Sequence, residues 1–183
     1  MHAITETLVS LTSTLAMLEQ QRADVLQEIS AWSPDHSIYR PAPTAWSAVE
    51  VLDHLVRVER EILAATQRGI ATPHPRRIRD RVRVAMLDWL FRSDRRVRAP
   101  TSVPAILPSS QADLATLRHE WAEVRHDLAQ FLALLPHDYP DSGVFKHPVA
   151  GWMSIPQVLR FFWVHTHHHR FQLARLRIAE SPS

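Results

Sequence analysis

The stretch LATLRHEWAEVRHDLAQFLALL, residues 114–135, places a large apolar side chain at alternating intervals of three and four residues. This is the spacing of an α-helix that buries one face against other helices. The apolar seam ends before Pro136 and consists of Leu114, Leu117, Trp121, Val124, Leu128, Phe131 and Leu135. It predicts a bundle helix over about 111–135, with Ser110 as its cap.

Three other segments have the same helical periodicity and lie at about 4–29, 48–67 and 155–179. The segment at 48–67 starts with the capping box Ser47–Glu50, and the segment at 155–179 starts with Ser154–Gln157. In a capping box, paired side chains satisfy free backbone amides. No second core and no internal repeat interrupts the pattern. The sequence therefore predicts an all-α fold, with one four-helix-bundle domain over 1–183.

The connection between the predicted helices at 48–67 and 111–135 covers about 73–108 and is long and basic. Between residues 76 and 98 it has nine arginines and three aspartates, whereas the whole chain has a net charge of +2. We interpret it as a crossover with a short helix at 77–92, docked on the bundle through Ile78, Val82, Met86, Leu87 and Leu90. The alternative is a phosphate-binding arm. The arginines are scattered around the helix, so we do not expect a nucleic-acid partner.

The composition excludes several classes of protein. With 183 residues, 45% of them hydrophobic, the chain can bury a sizeable core. Its 3 glycines leave little material for glycine-rich phosphate loops, and the absence of cysteine excludes a thiolate metal site and a cysteine nucleophile. No apolar run reaches the roughly 18 residues of a membrane span, and no signal peptide is recognisable. We therefore expect a cytoplasmic protein without a membrane partner.

Histidines occupy three positions on the inward faces of two predicted helices, where the spacing predicts apolar residues. His165 and His169 lie four residues apart on one face of the last predicted helix, and His54 lies on the inward face of the second. A buried polar group without a partner costs about 1–3 kcal/mol, so three together require a compensating interaction. A divalent metal supplies one, and three imidazole ligands leave a coordination position open. Hydrogen-bonded core histidines are the alternative.

Four further residues, together with Asp53, are candidates for the surroundings of this site. His168 lies at the edge of the histidine face and could support a ligand, whereas His167 points away from it. Gln172, one turn further along the seam, could hydrogen-bond a ligand or a bound water, or alternatively the helix backbone. Trp46 and His147 lie near the ends of the two ligand helices and could line a pocket.

The residues leave the chemistry of such a site open. Thr166 stands where H-E-x-x-H peptidases have a glutamate, so peptidase chemistry is disfavoured. The candidate bases are Asp53, Glu50 and Glu59, of which Glu50 is expected to be held by its cap. An open metal position could bind a thiol, polarise a carbonyl or activate water. A metal that only stabilises the bundle is the remaining alternative.

Two motifs carry a resemblance to a known family. The first is AWSAVEVLDHL at 45–55, and the second is HTHHHRFQL at 165–173. They resemble the signature blocks of the DinB-like (damage-inducible, YfiT-type) metalloprotein superfamily, and HPVAGWMS at 147–154 is similar to one of its branches.

The resemblance implies an up-up-down-down four-helix bundle, a homodimer, and zinc or nickel on the positions matching His54, His165 and His169. The activities it implies are thiol S-transfer and thiol-dependent isomerisation with bacterial low-molecular-weight thiols, alongside hydrolysis. We therefore expect a metal-dependent transferase or hydrolase with a small-molecule substrate. A non-catalytic, metal-stabilised binding or stress-response protein is the alternative.

Overall fold

The computed structural model describes residues 2–97, 103–109, 113–136, 139 and 141–179. Its elements, in chain order, are the helices α1 (His2–Ser30), α2 (Pro34–Ile38), α3 (Ala48–Gly69) and α4 (Ile78–Phe91), a 3₁₀ turn (Pro104–Ile106), α5 (Leu114–Ala133), the strands β1 (Phe145–His147) and β2 (Gly151–Met153), and α6 (Ile155–Arg177).

Four long helices, α1, α3, α5 and α6, form a bundle. The helix α3 packs against α5 and α6, and α1 packs against the same two helices. The seam of α5 turns inward as predicted, with Leu117, Trp121 and Leu128 almost completely buried. Phe162 of α6 and Leu18 of α1 lie in the same core. The fold is therefore an all-α bundle, which confirms the predicted fold class.

The helix starts follow the capping residues. Both predicted capping boxes are present, at Ser47 for α3 and at Ser154 for α6. The helix α5 begins at Leu114, three residues later than predicted, because Asp113 accepts hydrogen bonds from the first amides of the helix. Ser110, the predicted cap, lies outside the described residues.

The helix α4 lies in the crossover between α3 and α5 and packs against α6 and β2. Its buried apolar side chains are Val84, Leu87 and Phe91, and Leu90 is half-buried. The prediction that Ile78, Val82 and Met86 dock on the bundle is wrong, since all three are exposed. The reason is that α4 has two apolar faces, and helical periodicity does not tell which of them meets the bundle.

Two small elements escaped the sequence analysis. The short helix α2 forms within the segment 30–46, where Ser33 caps it and Pro34 occupies its first turn. Strands β1 and β2 pair antiparallel ahead of α6. Gly151 has φ of 81°, and a Cβ there would collide with Asp80 Oδ1 of α4, so the hairpin requires glycine at this position. Within the described residues, no helix is both long and apolar enough to cross a membrane.

Candidate metal centre

Three buried imidazoles converge between α3 and α6. His54 comes from α3, and His165 and His169 come from successive turns of α6. One nitrogen of each ring lies within 4.8 Å of the corresponding nitrogens of the other two. The ring centroids of His165 and His169 are 4.7 Å apart, and that of His54 lies 4.9 Å from His169. This cluster could hold a metal ion.

The ring of His54 is fixed by the crossover. Its Nδ1 lies 2.6 Å from the carbonyl oxygen of Ile106, in the 3₁₀ turn. A carbonyl only accepts hydrogen bonds, so Nδ1 carries the proton and Nε2 keeps its lone pair. A backbone carbonyl on the second ring nitrogen is the usual partner of a metal-binding histidine.

The ring of His169 is fixed from its own helix. Its Nδ1 lies 3.0 Å from Oε1 of Gln172, one turn further along α6. The amide oxygen accepts the Nδ1 proton, and Nε2 of His169 again keeps its lone pair. Of the partners considered for Gln172, the structure shows the side chain of His169.

Burial keeps the three rings neutral. It is the main cause that lowers the pKa of His54, against a smaller opposing effect of the bond to Ile106. The pKa values of His165 and His169 lie well below the usual value, first because of burial and then because a charge on one ring would repel charge on the others. Neutral imidazoles have free lone pairs, so this donor set fits a divalent metal ion.

Aromatic rings surround the cluster. The ring of Trp46 lies 4.8 Å from His54 and 6.4 Å from His169, which places this predicted pocket residue directly beside the site. Phe161 stacks on His165 at 5.2 Å. Phe91 of α4 lies 5.6 Å from the ring of His165. These rings limit the access of water to the histidines.

The other histidines of α6 face elsewhere. His168 stacks on Phe91 at 5.0 Å and is not part of the convergent group. His167 stacks on Trp163 at 5.2 Å, on a less buried side of the helix. The helical phase inferred from the sequence therefore distinguishes the residues that converge from those that do not.

His147 lies behind Phe161 rather than among the three convergent rings. Its Nδ1 accepts hydrogen bonds from the backbone amides of Val149 and Ala150, so Nε2 carries the proton. Its ring lies 5.2 Å from that of Phe161, which stacks on His165. Burial lowers the pKa of His147 to about 4.

The three carboxylates considered as general bases are engaged elsewhere. Asp53 pairs with Arg57 at 2.7 Å and accepts a hydrogen bond from the amide of Ser109. Glu50 closes the cap of α3 and pairs with Arg40. Glu59 is buried and accepts hydrogen bonds from Arg125 and Trp121. None of the three belongs to the histidine cluster.

A protein-family match covers most of the chain. The sequence model of the DinB superfamily matches residues 17–173, which include all the helices of the bundle in whole or in part. The chain belongs to the DinB superfamily. No curated protein matches the chain, and no solved structure matches it. The three histidines of this DinB protein lie inside the matched range.

Three contacts of the DinB site were missed by the sequence analysis. The carbonyl of Ile106 is a backbone group, and no residue type marks it. Phe161 and Phe91 occupy apolar helix positions, which look like any core position in the sequence. Only the close spacing of Phe161 and His165, four residues apart on α6, signals that the two rings meet.

The metal-free DinB protein is expected to lose stability as the pH falls below about 6.5, where unfolded histidines titrate. Burial lowers the pKa of His147 to about 4 and lowers that of His165 well below its usual value. The unfolded chain therefore binds more protons in this range, so the stability present above about pH 6.5 is lost as the pH falls toward about 4. Urea unfolding in excess chelator at about pH 7.5 and about pH 5 measures the loss.

The variant His147→Gln provides the control for this pH dependence. It removes one of the titrating groups, so its stability should change less between the two pH values than that of the parent protein. An identical change in both proteins would show that His147 does not titrate as its burial indicates.

Proposed function

We propose that the protein is a metal-dependent enzyme that binds a low-molecular-weight thiol at a zinc or nickel ion held by His54, His165 and His169. The observation that carries the proposal is the convergence of three buried, neutral imidazoles. A metal ion in such a site stabilises a thiolate at neutral pH, since neutral ligands leave its positive charge undiminished. The family resemblance favours S-transfer as the reaction.

The residues around the cluster support thiol binding over water activation. A hydrolytic site needs a general base within hydrogen-bond reach of the water. Asp53 and Glu59, two of the candidates, are held by arginines instead. A thiol that ionises on binding requires only that its proton leave to solvent. Trp46 and Phe161 limit the water around the site, which strengthens electrostatic interactions within it.

Titration of the cobalt-substituted protein with thiols tests the proposal. Cysteine and glutathione are the probes, and serine is the matched control because it has a hydroxyl in place of the thiol. We expect a saturable thiolate-to-metal charge-transfer band with a thiol and none with serine. A spectrum that stays unchanged with every thiol would favour the second candidate function, in which the ion only stabilises the bundle.

The variant Gln172→Leu is expected to weaken metal binding by about 10–100-fold, the usual effect of removing the hydrogen-bond partner of a ligand. Leucine cannot accept the Nδ1 proton of His169, so the ring loses the contact that orients it. Competition with a chromophoric chelator measures the affinity.

Two variants serve as controls for Gln172→Leu. Gln172→Glu keeps an acceptor oxygen at the same position and should keep the affinity. Gln67→Leu makes the same chemical change on an exposed position of α3 and should have no effect. If Gln172→Leu binds metal as tightly as the parent protein does, Gln172 does not orient the ligand.

The family resemblance also supports a homodimer, and a thiol substrate supports a cytoplasmic location, where such thiols stay reduced. We include both in the proposal. Light scattering of the purified protein measures the molar mass, and a monomer at micromolar concentration would contradict the first.

A further inference from the structure

The helix α4 presents a second apolar face to solvent. Ile78, Val82, Met86 and Trp89 are 82%, 53%, 64% and 62% exposed. At 100° per residue, these four positions fall within an arc of about 80° on one side of the helix. Four large apolar side chains in one exposed stripe differ from the single exposed apolar residues that are normal on any surface.

The opposite side of α4 holds the helix in this orientation. Val84, Leu87 and Phe91 are buried against the bundle. Asp80 is buried at the start of α4, where it accepts a hydrogen bond from the amide of Arg77 and lies against Gly151. The outward face is thus displayed by a helix that is itself packed on the protein.

Arginines flank the apolar stripe on both sides. Arg79 and Arg83 follow one edge of it, Arg81 and Arg92 follow the other, and all four are exposed. The guanidinium of Arg95 lies 5.5 Å from the centre of the Trp89 ring.

Among the described residues, nearby carboxylates compensate the arginines on one edge of the stripe and leave those on the other edge free. Asp80 is buried in the helix cap. Asp88 is bound by Arg160 and Arg92, and Asp141 lies 4.0 Å from Arg81. Arg79 and Arg83, on the other edge, have no ion pair within the part of the chain that the structure describes. A surface with an apolar centre and basic edges is complementary to an occupant with an apolar interior and negative charges above it.

We propose that this face of α4 docks on an anionic lipid surface. Ile78, Val82, Met86 and Trp89 would enter the boundary between headgroups and acyl chains, and Arg79 and Arg83 would bind lipid phosphates. Amphipathic helices with a basic polar side bind membranes in this way, and tryptophan is enriched at that depth. This docking places α4 at the membrane surface and does not require any helix to span the bilayer, so it is compatible with the absence of a membrane-spanning segment among the described residues.

Charge and apolar character distinguish a lipid surface from the other possible occupants of this face. In a second copy of the chain packed face to face, the basic edges of the two helices would meet and repel each other. A nucleic acid would satisfy the arginines, but its phosphate surface offers nothing to the apolar stripe. An anionic bilayer satisfies both parts of the face at once.

Flotation of the full-length protein with vesicles tests the proposal. We expect binding to vesicles of phosphatidylcholine mixed with phosphatidylglycerol to be at least about tenfold tighter than to phosphatidylcholine alone, and to weaken with added salt. The tryptophan fluorescence should shift to the blue on binding, and the variant Trp89→Phe should lose that shift.

Two pairs of variants separate the apolar stripe from its basic edges. Val82→Ser with Met86→Ser, and Arg79→Gln with Arg83→Gln, should each reduce binding by at least about tenfold. Leu134→Ser and Arg68→Gln change an exposed apolar residue and an exposed arginine elsewhere, and should bind like the parent protein. All the changed side chains are exposed, so the melting temperature should stay within a few degrees of the parent value.

Three results would overturn the proposal. The first is equal flotation, or none, with anionic and neutral vesicles. The second is a change from dimer to monomer in the Val82→Ser/Met86→Ser variant without lipid binding by the parent protein, which would assign the face to a second copy of the chain. The third is binding of duplex DNA that depends on Arg79 and Arg83 but not on the apolar stripe.

Discussion

Substitution of His165 by alanine is expected to reduce the metal content of the purified protein from about one ion per chain to a trace, with affinity falling by more than about 100-fold. Removal of a hydrogen-bond partner of a ligand already costs about 10–100-fold, and removal of the ligand itself costs more. His54→Ala and His169→Ala should have the same effect, since one nitrogen of each ring belongs to the convergent group. Elemental analysis of the purified variants measures the metal content.

His167→Ala is the matched control for these variants. It removes an imidazole from the same helix, but this ring stacks on Trp163 and lies outside the convergent group. We expect this variant to keep its metal. Loss of metal from His167→Ala together with its retention by His165→Ala would contradict the site.

Replacement of Arg125 by alanine is expected to lower the free energy of unfolding by about 3–5 kcal/mol, the usual cost of removing one member of a buried ion pair. Arg125 Nη2 donates a hydrogen bond to Glu59 Oε1 at 2.7 Å, and the indole of Trp121 donates to the other carboxylate oxygen at 2.8 Å. Both charged side chains are almost completely buried. Without Arg125, an unpaired carboxylate remains in the core. Urea unfolding of the two proteins measures the difference.

The pH dependence of this loss identifies Glu59 as its source. Burial raises the pKa of Glu59, and the charge of Arg125 opposes that rise. In Arg125→Ala the opposing charge is gone, so the folded-state pKa rises further above the unfolded value. The contribution of Glu59 to the stability of this variant is then fully present below the pKa of Glu59 in the unfolded chain. It is lost as the pH rises through the pKa of Glu59 in the folded protein. The variant should therefore be more strongly destabilised at about pH 8 than at about pH 5.

Two further variants provide the controls for Arg125→Ala. The double variant Glu59→Met/Arg125→Met removes both charges and should recover most of the lost stability, because apolar side chains replace a buried ion pair at little cost. Arg118→Ala removes an exposed arginine from the same helix and should cost less than about 1 kcal/mol. If Arg125→Ala costs no more than Arg118→Ala does, the pair does not stabilise the core.

The bundle could be predicted because each of its long helices places apolar residues at intervals of three and four, which brings them to one face. In α5, Leu117, Trp121 and Leu128 fall on the inward face that their spacing indicates. The same rule placed His165 and His169 on one inward face of α6 and His167 off it. The face of a helix on which a residue lies depends only on its position along that helix, so it can be predicted from the sequence.

The contacts that depend on tertiary packing could not be predicted in this way. The two apolar faces of α4 have equivalent spacing, and the choice between them depends on where Asp80 and Phe91 meet the bundle. The partner of His54 is a carbonyl 52 residues further along the chain. Glu59 was considered as a general base because its sequence position does not reveal the arginine of α5 opposite it.

The order in which the ribosome makes the three histidines limits when a site can exist. His54 emerges early, whereas His165 and His169 belong to α6, which is synthesised after the other three bundle helices. The imidazoles come together only when α6 packs against α3. The last helix therefore contributes both to the hydrophobic core and to the histidine cluster. Coordination by all three imidazoles therefore requires that α6 is already made and packed against α3, whereas the ligands of a zinc finger lie in one short segment of chain.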